Sequence, residues 1–183
     1  MATRLLLLMA LALPVSAAQV AGVKFDDKTS VAGAPLALKG AGLRKRLFFD
    51  VYAVGLYVAD LKADPIAQGG AKRVAIRMLR DVDAATFSQA LADGMRPNHD
   101  AAAMQQFEPR LAQLSAIMAD MKEAKKGMAI ALDWLPGAGT QVTIEGKPAG
   151  KPIEGEDFYR ALLRIWLGDK PVQDDLKKAL LGG

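Results

Sequence analysis

The stretch Leu47 to Ala59, LFFDVYAVGLYVA, constrains the fold more than any other part of the chain. It is rich in Phe, Val and Tyr, carries a single charge, Asp50, and reads as the longest strand. A strand this apolar has to be buried in a sheet. Three cations, Arg44, Lys45 and Arg46, stand directly before it. If Arg44 to Ala59 is one regular strand, its side chains alternate between two faces. Leu47, Phe49, Val51, Ala53, Gly55 and Tyr57 then share one face, which makes Tyr57 a core residue. Arg44, Arg46, Phe48, Asp50, Tyr52, Val54, Leu56 and Val58 share the other, and Lys45 points away into solvent. Two readings fit this mixed face. It is a solvated strand end, where Arg46 and Asp50 form a surface ion pair worth at most about 1 kcal/mol. Or it is a cleft wall, where an arginine fork and a phenol at the mouth of an apolar groove suit a carboxylate or an enolate.

The remaining periodicities define the layers. Val20 to Phe25 and Leu36 to Leu38 read as short strands, the second broken by Gly40-Ala41-Gly42, and Arg73 to Leu79 alternates as a further strand. Lys62 to Lys72, with Pro65 and Gly69-Gly70, is a loop. Asp83 then looks like the N-cap of a helix carrying Phe87, Leu91 and Met95. Asp100 caps a second helix whose apolar stripe is Met104, Phe107, Leu111, Leu114, Met118 and Met121, with Pro109 expected to kink or restart it. From Gly127 the period returns to two. Met128, Ile130, Leu132 and Trp134 share a strand face, Pro136 to Gly139 turns the chain, and Thr140 to Glu145 pairs back. A short strand to Ile153 follows. Asp157 to Leu167, closed by Gly168 as a C′ glycine, and Val172 to Leu181 are helices. Hairpin-linked strands with segregated helices mean an α+β fold, an antiparallel sheet backed by a layer of helices.

The N-terminus stands apart from this pattern. Arg4, the apolar run Leu5 to Leu13, Pro14 and the small residues Val15 to Ala18 fit a secretory signal peptide over residues 1–18, cut after Ala17 or Ala18. The expectation is a periplasmic or secreted protein with one domain over residues 19–183. No later run is long and apolar enough to span a bilayer, so stable membrane insertion is not expected. The chain has no cysteine, which excludes a thiolate nucleophile, Cys-ligated zinc and iron–sulfur clusters, and leaves stability to the core. Its one histidine, His99 in RPNHD, reads as a turn residue, and no metal site is expected. The net charge of +4 comes from scattered cations without interleaved aromatics, which is not a nucleic-acid surface. Neither Gly40-Ala41-Gly42 nor Gly137-Ala138-Gly139 makes a phosphate loop, and no cofactor is implied.

GAGLRKRLFFDVYAVGLYVAD, followed far downstream by FYRALLRIWLGDKPVQDDLKKALLG, resembles the chalcone isomerase family, in particular its bacterial exported branch. The resemblance runs from about Val20 to Gly183. It implies an open-faced sandwich with a ligand cleft between sheet and helices. The family's enzymes close a flavanone ring, polarising a ketone with an arginine, two threonines, a tyrosine and an asparagine. The arginine matches Arg44. The threonines fall on Tyr52 and Ile165, the tyrosine on or near Phe87, and the asparagine near Asp93-Gly94. Most donors for a developing oxyanion are therefore replaced, and one such donor is worth about 3 kcal/mol in a transition state. A non-catalytic branch of the family holds a fatty-acid carboxylate with an arginine and a tyrosine, a pattern that Arg44 and Tyr52 match.

The expectation is thus a chalcone isomerase-like protein that binds a small amphipathic carboxylate, such as a fatty acid, without catalysis. Arg44 and Tyr52 take the head group, and Phe48, Val54, Leu56, Phe87 and Ile165 line the groove. Trp134 reads as core, and Trp166 as a packing anchor able to line the cleft from the helical side. Two alternatives stand beside this reading. One is an isomerase or lyase acting on an enone-like substrate with Arg44 as electrophile. The other is an interaction module with no ligand.

Overall fold

The computed structural model describes residues 17–183, and the segment read as a signal peptide lies outside the described residues up to residue 16. The strands are β1 (Ala18–Val20), β2 (Val23–Phe25), β3 (Lys28–Val31), β4 (Ala34–Arg46), β5 (Phe49–Val58), β6 (Lys72–Met78), β7 (Val82–Asp83), β8 (Glu123–Ala124), β9 (Ala129–Leu135), β10 (Gly139–Ile144) and β11 (Lys147–Ile153). The helices are α1 (Ala84–Met95), α2 (Ala101–Ala119), α3 (Glu156–Leu167) and α4 (Asp174–Leu180). Seven strands form one antiparallel sheet in the order β11-β10-β9-β6-β5-β4-β3. The architecture is the expected α+β sheet with a helical layer.

The apolar run is not one strand. β4 ends at Arg46, Leu47-Phe48 turns the chain, and β5 begins at Phe49, with Arg46 and Phe49 paired across the turn. Nor does Gly40-Ala41-Gly42 break a strand, since β4 runs through it. These glycines seat α4. A Cβ on Gly40 would lie 2.1 Å from the Ala179 carbonyl oxygen, and one on Gly42 would lie 2.6 Å from Leu176 Cδ1. Their reason is tertiary contact rather than local turn geometry.

Alternation along the central strands divides the molecule. Val54, Leu56, Val58, Val74, Ile76, Ile130, Leu132 and Trp134 pack beneath the helices in the main core. Tyr57 packs in a second, smaller core with Val31, Leu36 and Ala71, as its opposite phase requires. On that outer side Arg73 donates to both carboxylate oxygens of Asp133 at 2.7 Å and to Thr29 Oγ1 at 2.9 Å. Three tight hairpins carry an X-Gly pair with positive φ at both positions, Ala21-Gly22, Ala32-Gly33 and Glu145-Gly146. That is the backbone hand that matches strand twist.

α1 and α2 start where capping chemistry predicts. Asp83 accepts from the Thr86 amide at 2.9 Å and Asp100 from the Ala103 amide at 2.7 Å. α2 continues through Pro109 without restarting. His99 sits in the turn between α1 and α2, its Nδ1 2.9 Å from the Met95 carbonyl and its ring edge-on to Phe107. Gly168 ends α3 with a negative φ, so it is not a left-handed cap. It leaves room for Asn98, whose Oδ1 would stand 2.3 Å from a Cβ there. α4 begins at Asp174, leaving Val172 outside it.

α3 is the inner helix, with eight of its twelve residues buried, which places it between the sheet and the other helices. The Tyr159 hydroxyl donates to the Leu132 carbonyl at 3.1 Å, fastening α3 to β9. Arg110 of α2 forks onto Asp157 in its first turn at 2.7 and 2.9 Å. This ion pair holds the Asp157 carboxyl below its usual range.

Two buried polar groups have no hydrogen-bond partner among the described residues. Lys72 is fully buried, and among the described residues neither its Nζ nor the Thr140 hydroxyl is hydrogen-bonded. The two flank Trp134 across the sheet. Burial lowers the Lys72 pKa, and Glu156 nearby offsets this in part. The unfolded chain then binds the extra proton, so this residue destabilises the fold most at low pH and less as pH rises toward the ordinary lysine value. We therefore expect Lys72→Met to raise stability by about 1–3 kcal/mol near neutral pH. The gain should shrink as pH approaches 10. Chemical denaturation of both proteins across this range checks it, and a destabilised variant at neutral pH would show that Lys72 is charged and paired.

Candidate functional site

The β4–β5 hairpin brings Arg44 and Tyr52 opposite each other as cross-strand partners. Directly paired residues project to the same face with their Cβ atoms about 5 Å apart. They reach one face by pairing across two strands, not by alternation along one. Beside them opens a cavity of about 490 Å³ between the hairpin, α1, α3 and the link that follows α3. Its apolar wall is Leu47, Phe49, Val51, Phe87, Leu91, Ile165 and Val172. Its polar groups are Arg44, Arg46, Tyr52, Arg80, Asp81, Asp83 and Thr86.

Four of the residues expected from the sequence therefore meet at one cavity: Arg44, Tyr52, Phe87 and Ile165. Phe87 stands edge-on to the Tyr52 ring at 6.3 Å between centroids. Three others do not line it. Phe48 is the exposed tip of the hairpin, because the chain turns there instead of continuing. Val54 and Leu56 share the phase of Tyr52 but lie deeper along β5, where the helices cover them completely. The Arg46–Asp50 ion pair of the solvated-end reading is absent among the described residues, since the turn places Asp50 opposite Lys45 instead.

The hydrogen-bond directions at Tyr52 are fixed by chemistry. Trp166 of α3 donates its indole N–H to the Tyr52 hydroxyl at 2.9 Å. An indole nitrogen can only donate, so the phenol oxygen is the acceptor and its own proton remains available. No acceptor for that proton is found among the described residues. Burial raises the Tyr52 pKa, against the opposing pull of the Trp166 hydrogen bond and the Arg44 charge. The phenol is thus a neutral donor held beside a guanidinium.

Arg44 is held from behind. Gln173, the residue before α4, accepts from the Lys45 amide at 2.8 Å and donates to the Leu43 carbonyl at 3.0 Å. Its Oε1 is also 3.4 Å from Arg44 Nη1, which additionally donates to the Lys45 carbonyl. Arg80 lies over the Phe49 ring at 4.5 Å. The two carboxylates at the rim already serve the backbone. Asp83 caps α1, and Asp81 accepts from the Lys126 amide at 2.7 Å. Among the described residues, no carboxylate forms an ion pair with Arg44, Arg46 or Arg80. A smaller hollow of about 290 Å³ behind Arg44 and Arg46 contains Asp93, Gly94 and Lys170. Gly94 is required there, since a Cβ would lie 2.8 Å from Ile165 Cγ2.

Sequence reasoning missed Arg80, Gln173, Phe49 and Val172. Phe49 was assigned to the face opposite Tyr52 by strict alternation, which the register shift between Arg44 and Lys45 breaks by leaving Val51 without a partner. Gln173 stands in the polar link before α4, and only that position could have drawn attention to it.

All three tyrosines of the chain are shifted upward. Tyr57 rises to about 12, through burial and the charge of Asp26, and Tyr159 rises well above the ordinary value through burial. We expect the native protein at pH 10 to show almost none of the tyrosinate absorbance that the denatured chain shows there. A raised folded pKa stabilises below the unfolded value and is lost as pH climbs through the folded one, so stability should fall above about pH 10. A third of the denatured chain's signal at pH 10 would mean that one phenol is open to solvent.

Comparison with known proteins agrees with this fold. A family model described as chalcone isomerase-like matches residues 17–182. No curated protein matches the sequence. Among solved structures, a fatty-acid binding protein of Arabidopsis thaliana superposes with a TM-score of 0.66 at 18% identity, over 87% of this chain and 92% of that one. At this identity the likeness is one of fold. With the family model covering nearly the whole described chain, the protein belongs to the chalcone isomerase-like family.

Proposed function

We propose that this protein is a non-catalytic binder of a small amphipathic carboxylate, a fatty acid being the simplest fit, and that it works in the periplasm after loss of residues 1–18. The observation that carries the reading is the pairing of Arg44 with Tyr52 at the polar end of an otherwise largely apolar cavity. Arg44 supplies charge and N–H donors, and Tyr52 supplies a neutral O–H whose oxygen Trp166 already orients. A carboxylate has two oxygens that accept such donors, and its bond to a guanidinium is both charge-assisted and directional. The apolar wall from Phe87 to Val172 suits a hydrocarbon tail, and the volume is in the usual range for small-ligand sites. The structural likeness to a protein described as fatty-acid binding supports the same assignment.

The alternative of an enone isomerase is less well supported. Phe87 and Ile165 bring no hydroxyl to the cavity, and Thr86 is exposed at its rim. Arg44 and Tyr52 alone make a head-group clamp but a thin oxyanion site.

Native mass spectrometry of the protein purified from an exporting host tests this directly. We expect wild type to carry an acyl-chain mass, and a bare mass for Arg44→Ala. Added fatty acid should bind the variant about ten- to a hundredfold more weakly, the loss of a hydrogen-bonded charge. The intact mass should also begin at Ala18 or Gln19. Bare wild-type protein that takes up no fatty acid would sink the carboxylate reading, and an intact N-terminal leader would sink the periplasmic one.

A further inference from the structure

We propose that the tip of the β4–β5 hairpin is a membrane-docking element, which seats the mouth of the cavity on a bilayer surface containing anionic phospholipid. The tip is Leu47-Phe48-Phe49, at 84, 96 and 56% exposure. These are three of the five large apolar residues exposed in the described chain, and they are consecutive. An isolated exposed leucine needs no explanation, but three adjoining apolar side chains on a projecting loop do.

The turn itself has the wrong residues for stability. Leu47 takes φ 54°, in the left-handed region, where a side chain such as leucine is strained. The three X-Gly hairpins elsewhere in this protein show the ordinary solution. Each of those puts Ala or Glu at the first, left-handed position and glycine at the second, whereas here Leu and Phe fill the two positions at 84 and 96% exposure. That choice sacrifices turn chemistry for apolar side chains exposed to solvent.

A collar of cations lies directly behind the tip. Arg44, Lys45, Arg46 and Arg80 form no ion pair with a carboxylate among the described residues. Asp50, the second residue of β5, is the one acid from Arg44 to Val58, and the rim acids Asp81 and Asp83 are engaged with backbone amides. Apolar side chains with basic residues one layer behind them suit the boundary between acyl chains and anionic head groups. The shape also favours lipid over protein. A narrow convex tip cannot supply the roughly 800 Å² per partner that a stable protein interface buries. Leu47, Phe49 and Arg46 line the cavity as well, so a seated tip sets the cavity mouth against the lipid.

The docking argument uses the tip and collar only, and does not require that the cavity hold a carboxylate. It is tested by sedimentation of ligand-free protein with pure phosphatidylcholine vesicles and with mixed phosphatidylcholine–phosphatidylglycerol vesicles. Wild type and variants must share one N-terminus, confirmed by intact mass, so that any contribution of the apolar leader cancels. We expect wild type to bind the mixed vesicles and to be released by salt. Phe48→Ser should weaken binding about tenfold or more, and Lys45→Gln about fivefold on anionic vesicles only. Neither residue lines the cavity, so both variants should retain the thermal midpoint and any fatty-acid uptake. Phe48→Trp should show a blue-shifted emission on vesicle addition, readable because Trp134 and Trp166 are buried. Absence of vesicle binding by wild type, or equal binding by Phe48→Ser, would overturn the proposal. So would a concentration-dependent dimer that Phe48→Ser abolishes, which would assign the tip to self-association.

Discussion

An indole N–H can only give a hydrogen bond, and in this molecule that rule sets the chemistry of the cavity. Trp166 reaches from the innermost helix to the hydroxyl of Tyr52 on a central strand. The bond joins the two layers at the floor of the cavity, and it fixes which way the phenol can act. Both partners are buried, so the bond is made where water cannot compete for either group. Remove the indole and the hydroxyl is free to rotate. Keep it, and the phenol proton is presented beside the Arg44 guanidinium.

The same economy governs charge at the rim. Asp81 and Asp83 could each have neutralised an arginine. Instead each accepts a backbone amide, one securing the loop after β8 and one starting α1. Local structural needs thus leave the arginines without acidic partners at the entrance of an apolar space. Gln173 positions Arg44 without adding charge, because an amide can both accept and donate where a carboxylate could only accept.

Much of this was legible in the sequence, and the failures have physical causes. Asp83 and Asp100 were readable as caps because capping depends on residues three apart. Trp134 and Tyr57 were assignable to opposite sheet faces because alternation is local to one strand. Arg44, Tyr52, Phe87 and Ile165 came together as the family resemblance implied, although they lie on different elements. The turn at Leu47-Phe48 was invisible because it contains no turn residue at all. Gly40 and Gly42 were misread as a break, since their reason is a helix more than a hundred residues away. Val54 and Leu56 had the right phase but the wrong depth, and periodicity carries no information about depth. Lys72 gave no sign of burial either, because it was read as the end of the loop from Lys62, whereas it is the first residue of β6.

The ends of the sheet bear on how copies of this chain can meet. One edge is β11, whose sequence KPAGKPI places Pro148 and Pro152 along it. Proline nitrogen has no hydrogen to offer a neighbouring strand, and lysines 147 and 151 would confront their own counterparts. The opposite edge, β3, is only four residues long and begins at Lys28. Neither border is a good template for strand addition. A cysteine-free chain has no covalent bond to hold it folded, so every partial opening exposes these borders to other copies. Their composition guards such openings against aggregation, a protection that matters before folding is complete as much as after.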